Sequence, residues 1–344
     1  MAAIDTAHSA DYQIVVSNEH SGEVSIIDGR TLKLVTTFPV GKRPRGIHAS
    51  PDGKVVYVAL SGTPIEGPPQ LDAQGNPILR KNQKNKDDDD DDDEKADKAA
   101  DGIGIVDLAQ RKLTGKIKAG SDPEEFAVSR DGKRLYVSNE DVKALSVIDI
   151  AAQKIEQIVP VGQEPEGVGV SPDGRFVYVT CETGGDVFAI NTATYEIAAH
   201  INVPPRPRSI AFLDQAPIAF IPSESSGQLN VVDTAGQKLV KSVSLPQGVR
   251  PMRVRLSRDE KKLYVSGGRS GTIAVLDSHS YAVLGSIKVG TRPWGITLSP
   301  DGKYLFSANG PSDDVSVVDL ASNKEVTRIH TGGSPWGIET VVRR

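Results

Sequence analysis

The chain has 344 residues, a formal net charge of −5 and only 5% aromatic residues. Most of the charge imbalance lies in residues 80–101, so the rest of the chain is nearly neutral and lacks the net basic surface that nucleic-acid binding needs. Cys181 is the only cysteine, which excludes an internal disulfide and a cysteine-based metal cluster, and no run of about 18 apolar residues predicts a membrane span.

Residues 13–18 form the first predicted β-strand, and a repeated proline phrase begins after it. The phrase is a proline a few residues after a short β-run, usually introduced by glycine and often followed by glycine. Its seven prolines are Pro44, Pro123, Pro165, Pro207, Pro251, Pro293 and Pro335. Successive prolines lie 42 to 44 residues apart, except for one gap of 79 residues. A fixed period of this length indicates a ring or solenoid of one supersecondary unit.

Each repeat has the pattern of four β-strands, called A to D here from the axis outward. An Asp-Gly turn such as residues 51–53 follows the proline phrase, and an aromatic-Val pair such as Tyr57-Val58 comes next. The last predicted strand, residues 335–342, supplies the inner strand that is missing before residue 13, which removes a sheet edge. The sequence therefore predicts an all-β, seven-bladed β-propeller of four-stranded antiparallel blades. A single domain over residues 1–344 would be closed by the C-terminal strand joining the N-terminal blade.

The second repeat carries an insertion at residues 61–101, in the loop between its strands B and C. The first part is rich in proline and glycine, and the second contains the acidic run of residues 87–93 with no apolar residue to bury, which favours disorder. The spacing excludes an EF-hand, yet carboxylates can collect Ca²⁺, so Ca²⁺ is the one cofactor left open, with Asp87, Asp89 and Asp91 as candidate ligands. An acidic arm that docks on a basic partner and a solvated loop are the alternatives.

Strand parity brings the proline phrases and the B–C loops to one face, around the mouth of the axial channel. That face collects both tryptophans of the chain beside arginines and glutamates, a combination that suits a concave ligand site. The predicted ligand-binding residues are Arg45, Glu124, Glu166, Arg208, Trp294 and Trp336, surrounded by Glu19, Glu140, Glu182 and Glu224. The alternative is that the charges pair with each other and that the tryptophans fill the channel as packing.

Enzyme motifs are sparse. The six histidines lie in different repeats with no regular ligand spacing, and a metal site built from Glu19, His20 and His330 is the one arrangement left open. Cys181 has no neighbouring base in sequence, so we expect a buried small residue rather than a nucleophile.

Several repeat segments resemble the YVTN-repeat β-propeller family. Residues 136–139 and 178–181 carry versions of the motif that names the family, and residues 171–179 are typical repeat sequence. The proline phrases at 43–46, 164–167, 206–208 and 335–337 resemble those of propellers associated with PQQ-dependent alcohol catabolism in bacteria. The resemblance implies a non-catalytic binding role in the periplasm or outside the cell. The first residues contain no apolar export signal, so a cytoplasmic location is the alternative.

From these observations we expect a non-enzymatic, monomeric propeller that binds a small molecule or a partner protein at the channel mouth, in support of PQQ-dependent oxidation. A metal-assisted lyase or hydrolase on the same face is the first alternative. A cell-surface or scaffold module that makes its contacts through the acidic insertion is the second.

Overall fold

The computed structural model describes residues 11–65 and 96–343, which form seven four-stranded antiparallel sheets. These sheets are the blades of the predicted seven-bladed propeller, so the fold class is confirmed. Blades are numbered in chain order, and blade one contains both ends of the chain. Among the described residues, no helix is long and apolar enough to cross a membrane.

The first three blades hold the following strands. Blade one contains Tyr12–Asn18 (β1), Glu23–Asp28 (β2) and Lys33–Pro39 (β3). Blade two contains Ile47–Ala49 (β4), Val55–Leu60 (β5), Gly102–Asp107 (β6) and Lys112–Ile117 (β7). Blade three contains Pro123–Val128 (β8), Arg134–Asn139 (β9), Ala144–Asp149 (β10) and Lys154–Pro160 (β11).

The remaining blades repeat this order. Blade four contains Gln163–Val170 (β12), Phe176–Thr183 (β13), Asp186–Asn191 (β14) and Ile197–Asn202 (β15). Blade five contains Ala211–Phe212 (β16), Ile218–Ser223 (β17), Gln228–Asp233 (β18) and Lys238–Ser244 (β19). Blade six contains Val254–Leu256 (β20), Lys262–Ser266 (β21), a 3₁₀ turn at Gly268–Ser270, Thr272–Asp277 (β22) and Val283–Lys288 (β23). Blade seven contains Pro293–Leu298 (β24), Tyr304–Asn309 (β25), a 3₁₀ turn at Gly310–Ser312, Asp314–Asp319 (β26) and Lys324–His330 (β27), and Pro335–Val342 (β28) ends the chain.

The C-terminal strand closes the ring. Strand β28 pairs antiparallel with β1, with Tyr12 opposite Val342 and Asn18 opposite Pro335, and it becomes the innermost strand of blade one. Because β28 covers the inner edge of β1, β1 is paired on both sides, between β28 and β2.

The turns between strands A and B form for a local reason. In blade two the Ser50 hydroxyl donates to Asp52 at 2.7 Å, and Asp52 accepts the amide of Lys54 at 3.1 Å. Gly53 has a φ of +70°, which a residue with a side chain rarely adopts. The same Ser-to-Asp hydrogen bond recurs in four other blades, at residues 129 and 131, 171 and 173, 257 and 259, and 299 and 301.

The inner strands approach each other closely in the four blades that have glycine at the second residue after the proline, and blade five has Ser209 there. A Cβ built on Gly167 would lie 2.4 Å from the Arg208 carbonyl oxygen, and one built on Gly337 would lie 2.4 Å from the Arg45 carbonyl oxygen. Blades three and six have Glu125 and Arg253 at this position instead. Their side chains enter the channel, as described below.

The structure describes only the two ends of the predicted insertion, residues 61–65 and 96–101. Those ends are joined, because the Gly62 amide donates to Asp101 at 2.8 Å and the Asp97 amide donates to the Gly62 carbonyl oxygen at 2.9 Å. Asp87, Asp89 and Asp91 lie outside the described residues, so the disorder and the Ca²⁺ binding of this segment stay predictions.

The close approach of the inner strands generates a stability prediction. We expect Gly337→Ala to lower the free energy of unfolding by about 1–3 kcal/mol, because the new methyl group overlaps the Arg45 carbonyl oxygen. Gly285→Ala is the matched control, since a Cβ there meets no atom within 4 Å. Denaturant unfolding of both variants checks this, and equal stability of the two would contradict the packing argument.

Candidate functional site

The proline phrases share a strained backbone that turns the chain into the channel. In six of the seven phrases the residue before the proline has a positive φ, between 41° and 59°. These residues are Arg43, Asp122, Glu164, Arg206, Arg292 and Ser334. In blades three, four and seven the strand register also shifts between the proline and the third residue after it. Such conformations cost free energy in residues with side chains, and they cluster at functional sites.

Arg45 organises one side of the channel mouth. Its guanidinium donates to Asp122 at 2.7 Å and also to Glu124, and it is only 4% exposed. Asp122 accepts a further hydrogen bond from Ser61 at 2.5 Å. At the outer rim Arg43 pairs with Glu19 at 3.3 Å. Blades two and three are therefore joined by buried ion pairs.

Arg208 organises the other side. It contacts Glu166 and Glu182, and its Nε lies 3.0 Å from a carboxylate oxygen of Glu224. Arg206 pairs with the same Glu182 and Glu224, at 2.7 and 3.2 Å. Two arginines thus share three glutamates from blades four and five.

The two tryptophans stack between these groups. The rings of Trp294 and Trp336 lie 5.6 Å apart at an angle of 26°, and Trp336 is 6% exposed. The guanidinium groups of Arg292, Arg208 and Arg253 lie 5.0 to 5.9 Å from the ring centres. The cavity beside them has a volume of about 20 Å³, which is room for about one water molecule. The tryptophans therefore pack within the channel, and a larger ligand would have to bind above them.

Three carboxyl groups at the mouth retain protons more readily than usual. Burial raises the pKa of Glu124 well above its ordinary value, more than the neighbouring Arg45 lowers it. Burial likewise raises the pKa values of Glu140 and Glu166. The carboxyl groups of Glu124 and Glu140 also act on each other, and their mutual repulsion adds to the effect of burial in raising the pKa of Glu124. Glu140 is the less buried member of this pair.

A second charged cluster lies deeper in the channel. Glu125 accepts from Arg253 of blade six, across the ring, and its Oε1 lies 2.9 Å from His48 Nε2. The other ring nitrogen of His48 lies 3.5 Å from Glu339. Burial would lower the pKa of His48, but the adjacent Glu125 outweighs burial and raises it to about 9. Despite burial, Arg253 and His48 hold the pKa of Glu125 well below its usual range.

The structure brings most of the predicted ligand-binding residues together. The group around the mouth comprises Arg45, Glu124, Glu140, Glu166, Glu182, Arg208, Glu224, Trp294 and Trp336, with Glu19 at its outer rim. His20 and His330 are exposed, and no group of three His, Cys, Asp or Glu side chains among residues 11–65 and 96–343 is arranged to hold a metal ion. Among these residues, Glu19, His20 and His330 do not come together as metal ligands, so the structure gives no support to the metal site predicted from them. Cys181 is buried, and burial raises the pKa of its thiol to about 12.

His48, Glu339 and Arg255 are not among the site residues predicted from the sequence. Each lies four residues after the proline of its repeat, and reading that position across the seven repeats would have found them. The signal is weak, because the other repeats have alanine, glycine or threonine there.

The contacts of His48 with Glu125 and Glu339 predict how the stability of the protein depends on pH. Its pKa of about 9 lies above the ordinary 6.5, so its contribution to stability is complete below about pH 6.5 and is lost as the pH rises through 9. We expect the free energy of unfolding to fall by about 1–3 kcal/mol more in the wild type than in His48→Gln between pH 7 and about pH 10. The exposed His330→Gln variant should keep the wild-type dependence. If the free energy of unfolding depended on pH in the same way in all three proteins, these contacts would not stabilise the charged form of His48.

Two protein-family models match parts of the chain, and several solved structures share its fold. A model described as "Lactonase, 7-bladed beta-propeller" matches residues 186–332, and one described as "Choice-of-anchor I domain" matches residues 4–164. Each match covers less than half of the chain. Over 144 residues the chain is 30% identical to Antigen Lp49 of Leptospira interrogans, a match that covers 36% of this chain and 30% of the antigen.

Two solved structures illustrate the structural likeness. The periplasmic gluconolactonase of Pseudomonas aeruginosa is 19% identical, with a TM-score of 0.73 over 96% of this chain and 99% of that one. The hydrazine synthase of Kuenenia stuttgartiensis is also 19% identical, with a TM-score of 0.71 over 93% of this chain and 99% of that one. At these identities the likeness establishes the fold alone.

These findings correct one prediction from the sequence. The expected non-enzymatic binding role is contradicted, because a family model described as a lactonase matches residues 186–332, which points to hydrolase-like activity. The chain is a seven-bladed β-propeller whose C-terminal part matches the lactonase-type propeller.

Proposed function

We propose that the protein is a hydrolase of lactones whose active site is the channel mouth. The observation that carries the proposal is the pair of buried, interacting carboxyl groups of Glu124 and Glu140, whose pKa values are both raised beside the Arg45 guanidinium. A pair of groups that differ in protonation is what general acid–base catalysis of ester hydrolysis requires. The lactonase model over residues 186–332 supports the same reaction class.

Glu140 is the proposed general base. It is less buried than Glu124, and burial raises the pKa of Glu124 further, so we assign the proton to Glu124 and the carboxylate to Glu140. A water molecule between Glu140 and the lactone carbonyl would lose a proton to Glu140 as its oxygen attacks the carbonyl carbon. Glu140 would then return that proton to the ring oxygen as the ester bond breaks, which leaves a hydroxy acid and balances the reaction.

Arg292 is the proposed partner of the substrate oxygen. It lies at the mouth with its guanidinium 5.0 Å from the centre of the Trp294 ring, and it has no hydrogen bond or ion pair within residues 11–65 and 96–343. The other arginines named at the mouth, at positions 43, 45, 206 and 208, already pair with carboxylates. A guanidinium that is held by stacking, with its N–H groups unused, suits the negative charge that develops on a lactone carbonyl.

Two finer predictions from the sequence belong with this proposal. The first is export to the periplasm, which agrees with the periplasmic location of the Pseudomonas aeruginosa gluconolactonase. The second is membership of the YVTN-repeat family, with an association to PQQ-dependent alcohol catabolism. It rests on the repeat motifs and the proline phrases of the sequence alone.

Replacing the proposed base tests the function. We expect the wild type to hydrolyse D-glucono-1,5-lactone or a five-membered ring lactone above the uncatalysed rate, and Glu140→Gln to lower kcat/KM by about 10²-fold or more, because the amide cannot take a proton. Glu164→Gln is the matched control, since Glu164 lies on the same face but accepts a hydrogen bond from Thr183 instead. Initial rates in a pH-stat measure both. No rate above background, or an unchanged Glu140→Gln variant, would refute the proposal.

The raised pKa of Glu140 generates a prediction for the pH profile. The base acts only when ionised, so kcat/KM should rise with pH through a midpoint above 4.5, the ordinary value for a glutamate. The residual activity of Glu140→Gln should lack this acidic limb. A wild-type midpoint at or below 4.5 would assign the base to another group.

A further inference from the structure

The end of the axial channel opposite the mouth contains charged groups that the proposed reaction does not use. Strand β20 runs from the proline phrase of blade six toward the A–B turn, so Arg255 lies nearer that turn than Arg253 does. His48 and Glu339 occupy the equivalent position in blades two and one, four residues after their prolines. Together with Glu125 these side chains form a cluster of five, which we call the channel cluster.

The ion pairs within the channel cluster leave one cationic group, the guanidinium of Arg255, without a partner. Glu125 pairs with both Arg253 and His48, and Glu339 pairs with His48. The guanidinium of Arg255 has no hydrogen bond or ion pair within the part of the chain that the structure describes, whereas its backbone pairs with Tyr264 in the sheet. With His48 protonated, three cations face two carboxylates. The ionised groups that act on Arg255 are Arg253, Glu339 and Glu125, so no further carboxylate offsets the surplus.

An unpaired guanidinium in this position costs free energy. Burial and the like charge of Arg253 both lower the pKa of Arg255, so its environment disfavours the charged form. A buried charge that has no partner destabilises the fold unless water or a counter-ion compensates it. A bound anion would compensate it directly.

The cluster is reachable from the turn side of the ring. The side chains of His48 and Glu339 are 22% and 24% exposed, whereas that of Glu125, nearer the mouth, is 2% exposed. Arg255 itself is partly exposed. The stacked pair of Trp294 and Trp336 fills the channel on the mouth side. Solvent and small ions therefore reach the channel cluster between the A–B turns.

We propose that this end of the channel binds a small oxyanion on the Arg255 guanidinium. The planar N–H fork of arginine matches the paired oxygens of sulfate, phosphate or a carboxylate. Neither Glu140 nor Arg292 takes part, so the site does not depend on the proposed lactone hydrolysis.

Calorimetric titration of the full chain tests the site. Sodium sulfate and sodium acetate are titrated at constant ionic strength against a sodium chloride reference. We expect saturable binding of at least one oxyanion to the wild type and a loss of at least about tenfold in its affinity in Arg255→Gln. Arg258→Gln is the matched control, because Arg258 is an exposed arginine of the neighbouring A–B turn. It should bind as the wild type does.

A second variant changes affinity in the opposite direction. Glu339→Gln removes a negative charge that acts on Arg255, so it should tighten oxyanion binding by about threefold or more. Opposite shifts in the two variants would support the site. Absence of oxyanion binding beyond chloride, or equal affinity in the wild type and Arg255→Gln, would overturn the proposal and assign any bound anion to the arginines of the mouth.

Discussion

The pairing of β28 with β1 is the constraint on which the site depends. It closes seven similar blades into a ring, and the ring brings proline phrases that are up to 291 residues apart in sequence into one small cross-section. Glycine at the second residue after the proline lets neighbouring inner strands approach each other, as at Gly167 and Gly337. Because the strands are so close, the longer side chains at this position, Glu125 and Arg253, extend into the channel, where they pair.

Charge in this channel is arranged in two layers with different protonation. At the mouth, burial outweighs the arginines, so Glu124, Glu140 and Glu166 hold protons more readily than usual. Deeper in the ring, Glu125 remains ionised because Arg253 and His48 both contact it. Buried ion pairs of this kind add little net stability compared with apolar packing, since both partners lose their hydration. Their presence is therefore better explained by function than by stability.

The same fold occurs in a gluconolactonase and in a hydrazine synthase, so the side chains of the site, and not the fold, determine function. The position of both tryptophans beside arginines in the sequence predicts a ligand site that includes Trp294 and Trp336. The structure has a cavity of about 20 Å³ there, which is too small for a sugar-sized ligand, and the rings stack on each other and on three arginines. The proposed chemistry would therefore take place above the tryptophans, where Glu140 and Arg292 are partly exposed.

The sequence by itself determined the number of blades, their four strands, the closure of the ring and the face on which the proline phrases meet. These features follow from local signals, namely a proline every 42 to 44 residues, Asp-Gly turns and alternating apolar runs, which act within a few residues of each other. Which charges pair was decided only by the tertiary structure. The contact of Glu125 with Arg253 joins blades three and six across the ring, and the clasp of His48 by Glu125 and Glu339 joins three blades. Those contacts depend on the radius of the closed ring and on the size of every side chain within it, which no short segment of the sequence encodes.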